Sequence, residues 1–113
     1  MNEAIPSGKR FTQELKKKIG YFIVCEDGFS INEAHEQQPY QFYIDHKKSY
    51  ISFGLFEDAR EYTLRKNAEK ALIHLEKANI KCHIIAYDKQ NNHFISDDEA
   101  EVIYTNVLKL IED

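Results

Sequence analysis

The sequence has no tryptophan, only four glycines and two prolines, and no long uninterrupted apolar run. Apolar runs such as the one at residues 21–25 fall far short of the roughly 20 residues that a membrane-spanning helix needs. The glycine-rich motifs that bind phosphates are absent as well. We therefore expect no membrane association and no nucleotide cofactor, and the N-terminal stretch lacks the apolar core of a signal peptide.

Cysteine is scarce too, since the sequence contains only Cys25 and Cys82. Both lie in apolar, strand-like runs, which favours buried, reduced thiols in a cytoplasmic protein, with a disulfide or a reactive thiol as the alternatives. The cysteines and five histidines lack the close pairing that is typical of zinc ligands. We expect no metal site and no cofactor, and the absence of a nucleophile motif favours a non-catalytic protein.

The charge is divided unevenly along the chain. The net charge is −4, but residues 1–20 carry a balance of +3, so the remaining residues carry −7. An acidic body argues against sequence-independent binding to nucleic acid, because phosphate contacts dominate that affinity. The basic N-terminal segment keeps nucleic-acid binding as the alternative hypothesis, and its candidate residues are Lys9, Arg10, Lys16, Lys17 and Lys18.

The order of hydrophobic patterns predicts an α+β domain over residues 9–113, preceded by a flexible tail at 1–8. Apolar residues three and four apart predict helices at about 11–19, 57–78 and 97–111. Alternating apolar and aromatic residues predict three hairpins, at about 21–33, 40–53 and 82–95. Tight turns pair such strands antiparallel, so we expect a mainly antiparallel sheet with the helices packed on it.

Turn residues predict the register of each hairpin. Asp27-Gly28 is a strong two-residue hairpin signal and would pair Cys25 with Ser30. A turn at His46-Lys47 would place Tyr43 directly opposite Tyr50.

In the last hairpin, Tyr87 is predicted to lie opposite His93. This pairing would place Ile84, Ala86 and Phe94 on the core face. Because side chains alternate across a strand, His83, Tyr87 and His93 would then share the opposite face with Ile85 and Ile95.

Local signals also predict the helix ends. Ser96 followed by Glu99 fits a capping box at the start of the last helix. Glu57 and Asp58 suit the positive end of the long helix dipole, and Asn79 is a suitable terminator.

Tyrosines and histidines on the outer sheet faces are the candidate partner-binding residues. Tyrosine offers a large amphipathic contact area and is enriched at protein interfaces. The alternative is structural: a cross-strand tyrosine pair that nothing covers, or a face covered by the short N-terminal helix. The candidate residues are Tyr43, Tyr50, Tyr87, His83 and His93.

Three families resemble parts of the chain. The stretch SYISFGLFEDAREYTLRKNAEKAL resembles the strand-then-helix end of integrase DNA-binding modules, and the order of elements over 11–78 resembles a double-stranded-RNA-binding domain. The whole order of elements, together with small size and acidic charge, looks like the chaperones of bacterial secretion systems. That last resemblance implies a dimeric α/β protein that holds an extended segment of another protein.

These observations lead to one preferred hypothesis. We expect a small, cytoplasmic, non-catalytic protein-binding module, such as a secretion chaperone, an immunity or inhibitor protein, or an adaptor. Its partner would be another protein or a second copy of itself in a homodimer, and nucleic acid is the alternative partner.

Overall fold

In the part of the chain that the structure describes, three α-helices pack on a five-stranded antiparallel sheet, which confirms the predicted α+β fold. The computed structural model describes residues 4–25, 30–31, 37–38, 41–47 and 50–112. The helices are α1 (Ala4–Lys18), α2 (Arg65–Lys77) and α3 (Asp97–Glu112). The strands are β1 (Ile19–Cys25), β2 (Ser30–Ile31), β3 (Gln37–Gln38), β4 (Gln41–Lys47), β5 (Tyr50–Gly54), β6 (Cys82–Asp88) and β7 (His93–Ile95), and a short 3₁₀ helix spans Phe56–Asp58.

Strand β1 lies at the centre of the sheet, whose order is β5-β4-β1-β6-β7. Every residue of β1 is buried. A strand that is apolar on both faces is stable only where neighbouring strands flank it and other groups cover both faces of the sheet. The short strands β2 and β3 pair only with each other among the described strands.

All three helices pack on one face of the sheet. The buried residues of this main core come from each helix and from the sheet: Leu15, Ile19, Tyr21, Ile23, Tyr43, Ala68, Leu75, Ala86, Ala100 and Val107. Ala68 and Ala100 have small side chains, which allow α2 and α3 to lie close to the strands. A second, smaller core of Phe22, Val24 and Phe42 lies on the other face.

Helix α1 is longer than the sequence pattern predicted. It begins at Ala4 and ends at Lys18, so residues 4–8 of the expected tail belong to the helix and Ile19 begins β1. Pro6 is compatible with this start, because the amide groups of the first helical turn have no partner within the helix.

Helix α2 begins later than predicted. Glu57 and Asp58 belong to the 3₁₀ helix, and the first turn of α2 is basic rather than acidic. The intervening chain is held extended because Tyr62 exchanges two backbone hydrogen bonds with Tyr21, with N···O distances of 2.7 and 2.9 Å. The segment therefore lies beside β1, where it cannot be helical.

The predicted end of α2 is confirmed. Asn79 has a φ of 64°, the left-handed conformation that follows many helices. The amide of Ile80 donates to the carbonyl of Leu75 at 3.1 Å, which satisfies a terminal carbonyl of the helix.

The hairpin predicted at 21–33 is wrong. Cys25 and Val24 of β1 pair with β4 and β6, whereas Ile31 pairs with Gln37. The proposed turn at Asp27-Gly28 lies outside the described residues. The turn signal at Asp27-Gly28 did not determine the partners of β1. An apolar central strand is stabilised most by two long neighbours, which here are β4 and β6.

The hairpin predicted at 40–53 exists as β4 and β5, but its register differs. Lys47 pairs with Tyr50 and Tyr43 pairs with Phe53, with an irregularity between Tyr43 and Asp45. The turn predicted at His46-Lys47 is therefore wrong, because both residues belong to β4. An extra residue in one strand of the hairpin cannot be deduced from alternation alone.

The hairpin predicted at 82–95 also exists, as β6 and β7, with a register shifted by one residue. Tyr87 pairs with Phe94, and Asp88 pairs with His93. Such a shift exchanges the two faces of the strand. Phe94 consequently shares a face with Tyr87, and Ile95 joins Ala86 on the helix side.

The capping box at the start of α3 is confirmed. The Ser96 hydroxyl accepts a hydrogen bond from the Glu99 amide at 3.2 Å, and the Ser96 amide donates to the Glu99 carboxylate at 3.1 Å. Helix α3 then runs from Asp97 to Glu112, close to the predicted bounds.

Candidate functional site

A cleft of about 530 Å³ opens between α1, α3 and the first turn of α2. Its lining combines apolar, aromatic and charged side chains: Phe11, Thr12, Leu15, Tyr21, Thr63, Leu64, Arg65, Lys66, Glu101 and Tyr104. This volume lies in the range of natural ligand sites, about 300–1,000 Å³. We refer to it below as the α1–α3 cleft.

The backbone pair between Tyr21 and Tyr62 creates this cleft. It fixes the chain next to β1, so Thr63 and the start of α2 follow directly beside Tyr21. On the other side, Phe11 of α1 meets Tyr104 of α3 edge to face, with ring centroids 5.0 Å apart. Such aromatic pairs hold neighbouring helices at a defined spacing, which leaves the cleft open between them and α2.

Tyr21 is the most buried polar group of the cleft lining, with 7% of its surface exposed. Burial raises the pKa of its hydroxyl, the carboxylates of Asp97 and Glu101 raise it further, and Arg65 opposes them. The Tyr21 hydroxyl therefore stays protonated at neutral pH. It can donate a hydrogen bond to a ligand and is unsuited to act as a general base.

The start of α2 places two basic side chains at one wall of the cleft. Leu64 precedes the helix and provides no side-chain cap, while Arg65 and Lys66 occupy the first turn. Backbone amides at a helix start carry partial positive charge, and the two cations add to it.

Arg65 is held in place by two carboxylates. Its Nη1 atom lies 2.8 Å from Asp97 Oδ1, and its Nε atom lies 3.5 Å from Glu69 Oε2. These contacts join the starts of α2 and α3 and orient the guanidinium group. Lys66 is exposed and lines the cleft.

The cleft can therefore hold an apolar group beside an acidic one. Phe11, Leu15 and Leu64 offer the apolar surface, and Lys66 with the α2 start offers positive charge. Glu101 adds a carboxylate on the α3 side, which can accept a hydrogen bond or pair with a cation.

The structure does not bring the predicted tyrosine and histidine surface together. Tyr43 is buried on the helix side with 6% of its surface exposed, opposite Phe53 rather than Tyr50. Tyr87 and His83 lie on the other face of the sheet, and His93 is exposed at the β7 edge. The side chain of Tyr50 lies outside the described residues.

Tyr87 instead belongs to an aromatic cluster on the sheet face away from the helices. Neighbouring ring centroids in this cluster lie 4.9 to 6.5 Å apart, a spacing that is typical of packed aromatic side chains. Phe94 forms its exposed edge, with 40% of its surface accessible. The members of the cluster are Phe22, Phe42, Phe56, Tyr87 and Phe94.

The basic residues of the alternative hypothesis all lie on α1. Lys9, Arg10 and Lys16 are exposed, Lys18 is half-buried, and Lys17 pairs with Glu14 at 3.2 Å. Three of the five lysine and arginine residues occupy the last turn, where cations stabilise the helix dipole.

The residues that line the α1–α3 cleft could not be grouped from the sequence. Phe11 and Leu15 belong to the apolar pattern that predicts the first helix, but their neighbours Tyr21, Arg65 and Tyr104 come from distant parts of the chain. The Tyr21–Tyr62 backbone contact, the Arg65–Asp97 ion pair and the Phe11–Tyr104 ring contact bring these parts together, and no local pattern indicates any of the three.

The chain has no match among known protein families, curated proteins or solved structures. In the part of the chain that the structure describes, no group of three or more histidine, cysteine or acidic side chains is placed to hold a metal ion. None of the described helices is long and apolar enough to cross a membrane.

Proposed function

We propose that this protein is a small, non-catalytic protein-binding module. In this proposal the α1–α3 cleft receives an apolar side chain of the partner, next to an acidic group of that partner. The observation that carries the proposal is the cleft lining, in which an apolar floor lies beside Arg65, Lys66 and the start of α2.

The residue types of the cleft support a protein partner. Tyrosine and arginine dominate the energetic centres of protein interfaces, and such centres are pockets that exclude water. Tyr21, Tyr104 and Arg65 are of these types, and all three line the cleft. Arg65 is already oriented by Asp97 and Glu69, which lowers the entropy cost of binding.

The electrostatics support an acidic group in the partner. A carboxylate near the start of α2 would meet the helix dipole and Lys66, whereas Arg65 already pairs with Asp97 and Glu69. The protonated Tyr21 hydroxyl can donate a hydrogen bond to the same group.

Selection of short random peptides against the purified protein tests this proposal. The best peptide is then measured by fluorescence anisotropy against the wild type, Lys66→Glu and Tyr104→Ala. We expect selected peptides to share an apolar residue near an acidic one. Both substitutions should weaken binding about tenfold or more, which corresponds to about 1.4 kcal/mol.

Lys70→Glu is the matched control, because Lys70 lies one helical turn further along α2, is exposed and is not part of the cleft lining. Binding by this variant should equal that of the wild type. If no peptide is enriched, or if all four proteins bind the selected peptide equally, the proposal is wrong.

Self-association belongs to the same proposal, since a second copy of the chain is one of the expected partners. Light scattering of the purified protein over a range of concentrations measures its mass in solution. A homodimer is expected, and a monomer at all concentrations would show that self-association is not part of the function. The alternative use of α1 for nucleic acid stays a prediction, and so do the partner-binding candidates Tyr43, Tyr50, Tyr87, His83 and His93.

A further inference from the structure

The two cysteines lie directly opposite each other in the sheet. Cys25 is the last residue of β1, Cys82 is the first residue of β6, and the antiparallel register pairs them. They are 57 positions apart in sequence, and both are thiols in the structure. Directly opposed residues point to the same face of a sheet, so the two thiols lie side by side.

The backbone geometry suits a disulfide. Opposed residues in an antiparallel pair have Cα atoms about 4.5 or 5.5 Å apart, depending on the hydrogen-bond pattern. Disulfides are found at Cα separations of about 4.4–6.8 Å, which includes both values. The bond could therefore form without a change of register.

Cys82 is the more accessible of the two cysteines. Cys25 is 8% exposed. Cys82 is less buried and lines a surface pocket of about 450 Å³ together with Glu76, Asn79, Ile80 and Lys81. This difference sets an order of reaction, in which Cys82 reacts first and Cys25 second.

We propose that Cys25 and Cys82 are a thiol–disulfide exchange site. Reaction with a low-molecular-weight disulfide, such as oxidised glutathione, joins the two residues in an intramolecular disulfide. The Cys82 thiolate attacks one sulfur of oxidised glutathione. A bond forms between Cys82 Sγ and that sulfur, the glutathione disulfide bond breaks, and one glutathione leaves as a thiolate that takes up a proton.

Cys25 completes the exchange. Its thiolate attacks Cys82 Sγ, the mixed disulfide bond breaks, and the second glutathione leaves as a thiolate that is protonated in turn. The two cysteines lose two electrons and two protons in total, and oxidised glutathione gains them as two thiols. This site is independent of the α1–α3 cleft.

Incubation of the native, full-length protein with oxidised glutathione, followed by mass spectrometry without reduction, tests the proposal. The wild type should lose the mass of two hydrogen atoms and carry no glutathione. Cys25→Ser should stop at the mixed disulfide and gain one glutathionyl group on Cys82. Cys82→Ser should react much more slowly, because only the buried Cys25 remains.

Circular dichroism of each variant controls for folding, and Cys25→Ala and Cys82→Ala serve as second variants if a serine variant does not fold. Peptide mapping of the oxidised wild type should find the Cys25–Cys82 link. A wild type that retains glutathione, forms a disulfide-linked dimer, or reacts only after denaturation would overturn the proposal.

Discussion

Asp88 organises the turn between β6 and β7 through its carboxylate. Its Oδ1 atom accepts hydrogen bonds from the amides of Gln90 and Asn91, at 2.9 and 3.2 Å, and its Oδ2 atom accepts one from the Asn91 side chain at 2.8 Å. These hydrogen bonds favour the ionised form, and the Asn91 side chain is the main reason that the pKa of Asp88 lies below its ordinary value.

This lowered pKa predicts a pH dependence of stability. A carboxyl whose pKa is lower in the folded state stabilises the fold above its unfolded-state pKa of about 3.9, and this stabilisation is lost as the pH falls through the folded value. Asp88→Asn should therefore lower the free energy of unfolding at pH 7, and the difference from the wild type should shrink as the pH falls below about 4. Urea unfolding of both proteins at a series of pH values measures this difference in the free energy of unfolding.

Asp58→Asn is the control for this prediction, since Asp58 is exposed on the 3₁₀ helix. A difference between wild type and Asp88→Asn that stays constant from pH 7 to pH 3 would contradict the role of the ionised carboxylate.

At the scale of single elements, α3 shows what local sequence can specify. Ser96 and Glu99 satisfy each other's backbone amides, and the first turn is acidic, which suits the helix dipole. All of these signals lie within four residues of the helix start. The start of α3 was therefore predictable from the sequence.

The cap also yields a prediction. Ser96→Ala removes the hydroxyl that accepts from the Glu99 amide and should cost about 0.5–2 kcal/mol of stability. Ser96→Gly should cost only a few tenths of a kcal/mol relative to serine, because glycine is itself a favourable residue at this position. Urea unfolding of both variants measures the difference. Equal midpoints for wild type and Ser96→Ala would show that the cap does not stabilise α3.

The strand registers were less predictable than the helices. Alternation indicated β4, β5, β6 and β7 as strands, but an irregularity after Tyr43 and a one-residue shift at Phe94 changed which side chains share a face. Alternation with a period of two residues identifies a strand, but it does not determine the register between that strand and its partner. The prediction that Tyr43 lies opposite Tyr50 depended on that register and is wrong.

At the scale of the whole molecule, contacts between distant segments determine both the sheet order and the cleft. β1 pairs with β6, some 60 residues away, and Tyr62 pairs with Tyr21. Such pairings depend on the total surface that the whole chain can bury. This surface cannot be deduced from local turn signals. Consequently, the α+β class was predictable from the order of elements, and the α1–α3 cleft was not.

Lys89 provides a direct test of such long-range contacts. Its Nζ atom pairs with the Glu61 carboxylate, next to the Tyr21–Tyr62 contact, and donates to the Lys16 carbonyl at the end of α1. Its amide also donates to the Lys18 carbonyl at 3.0 Å. One residue thus joins α1, the segment before α2, and the β6–β7 turn.

A double-mutant cycle of Lys89→Met and Glu61→Gln measures the ion pair separately from the other contacts of Lys89. Both side chains are about 70% buried, so the coupling energy should be about 1 kcal/mol, near the upper end for ion pairs that solvent still reaches. The same cycle for Lys17 and Glu14, of which Lys17 is largely exposed, should give a smaller coupling. Added salt should reduce both values, since mobile ions screen charges that solvent reaches. Additive effects of Lys89→Met and Glu61→Gln would show that this ion pair does not stabilise the arrangement of α1, β1 and the cleft.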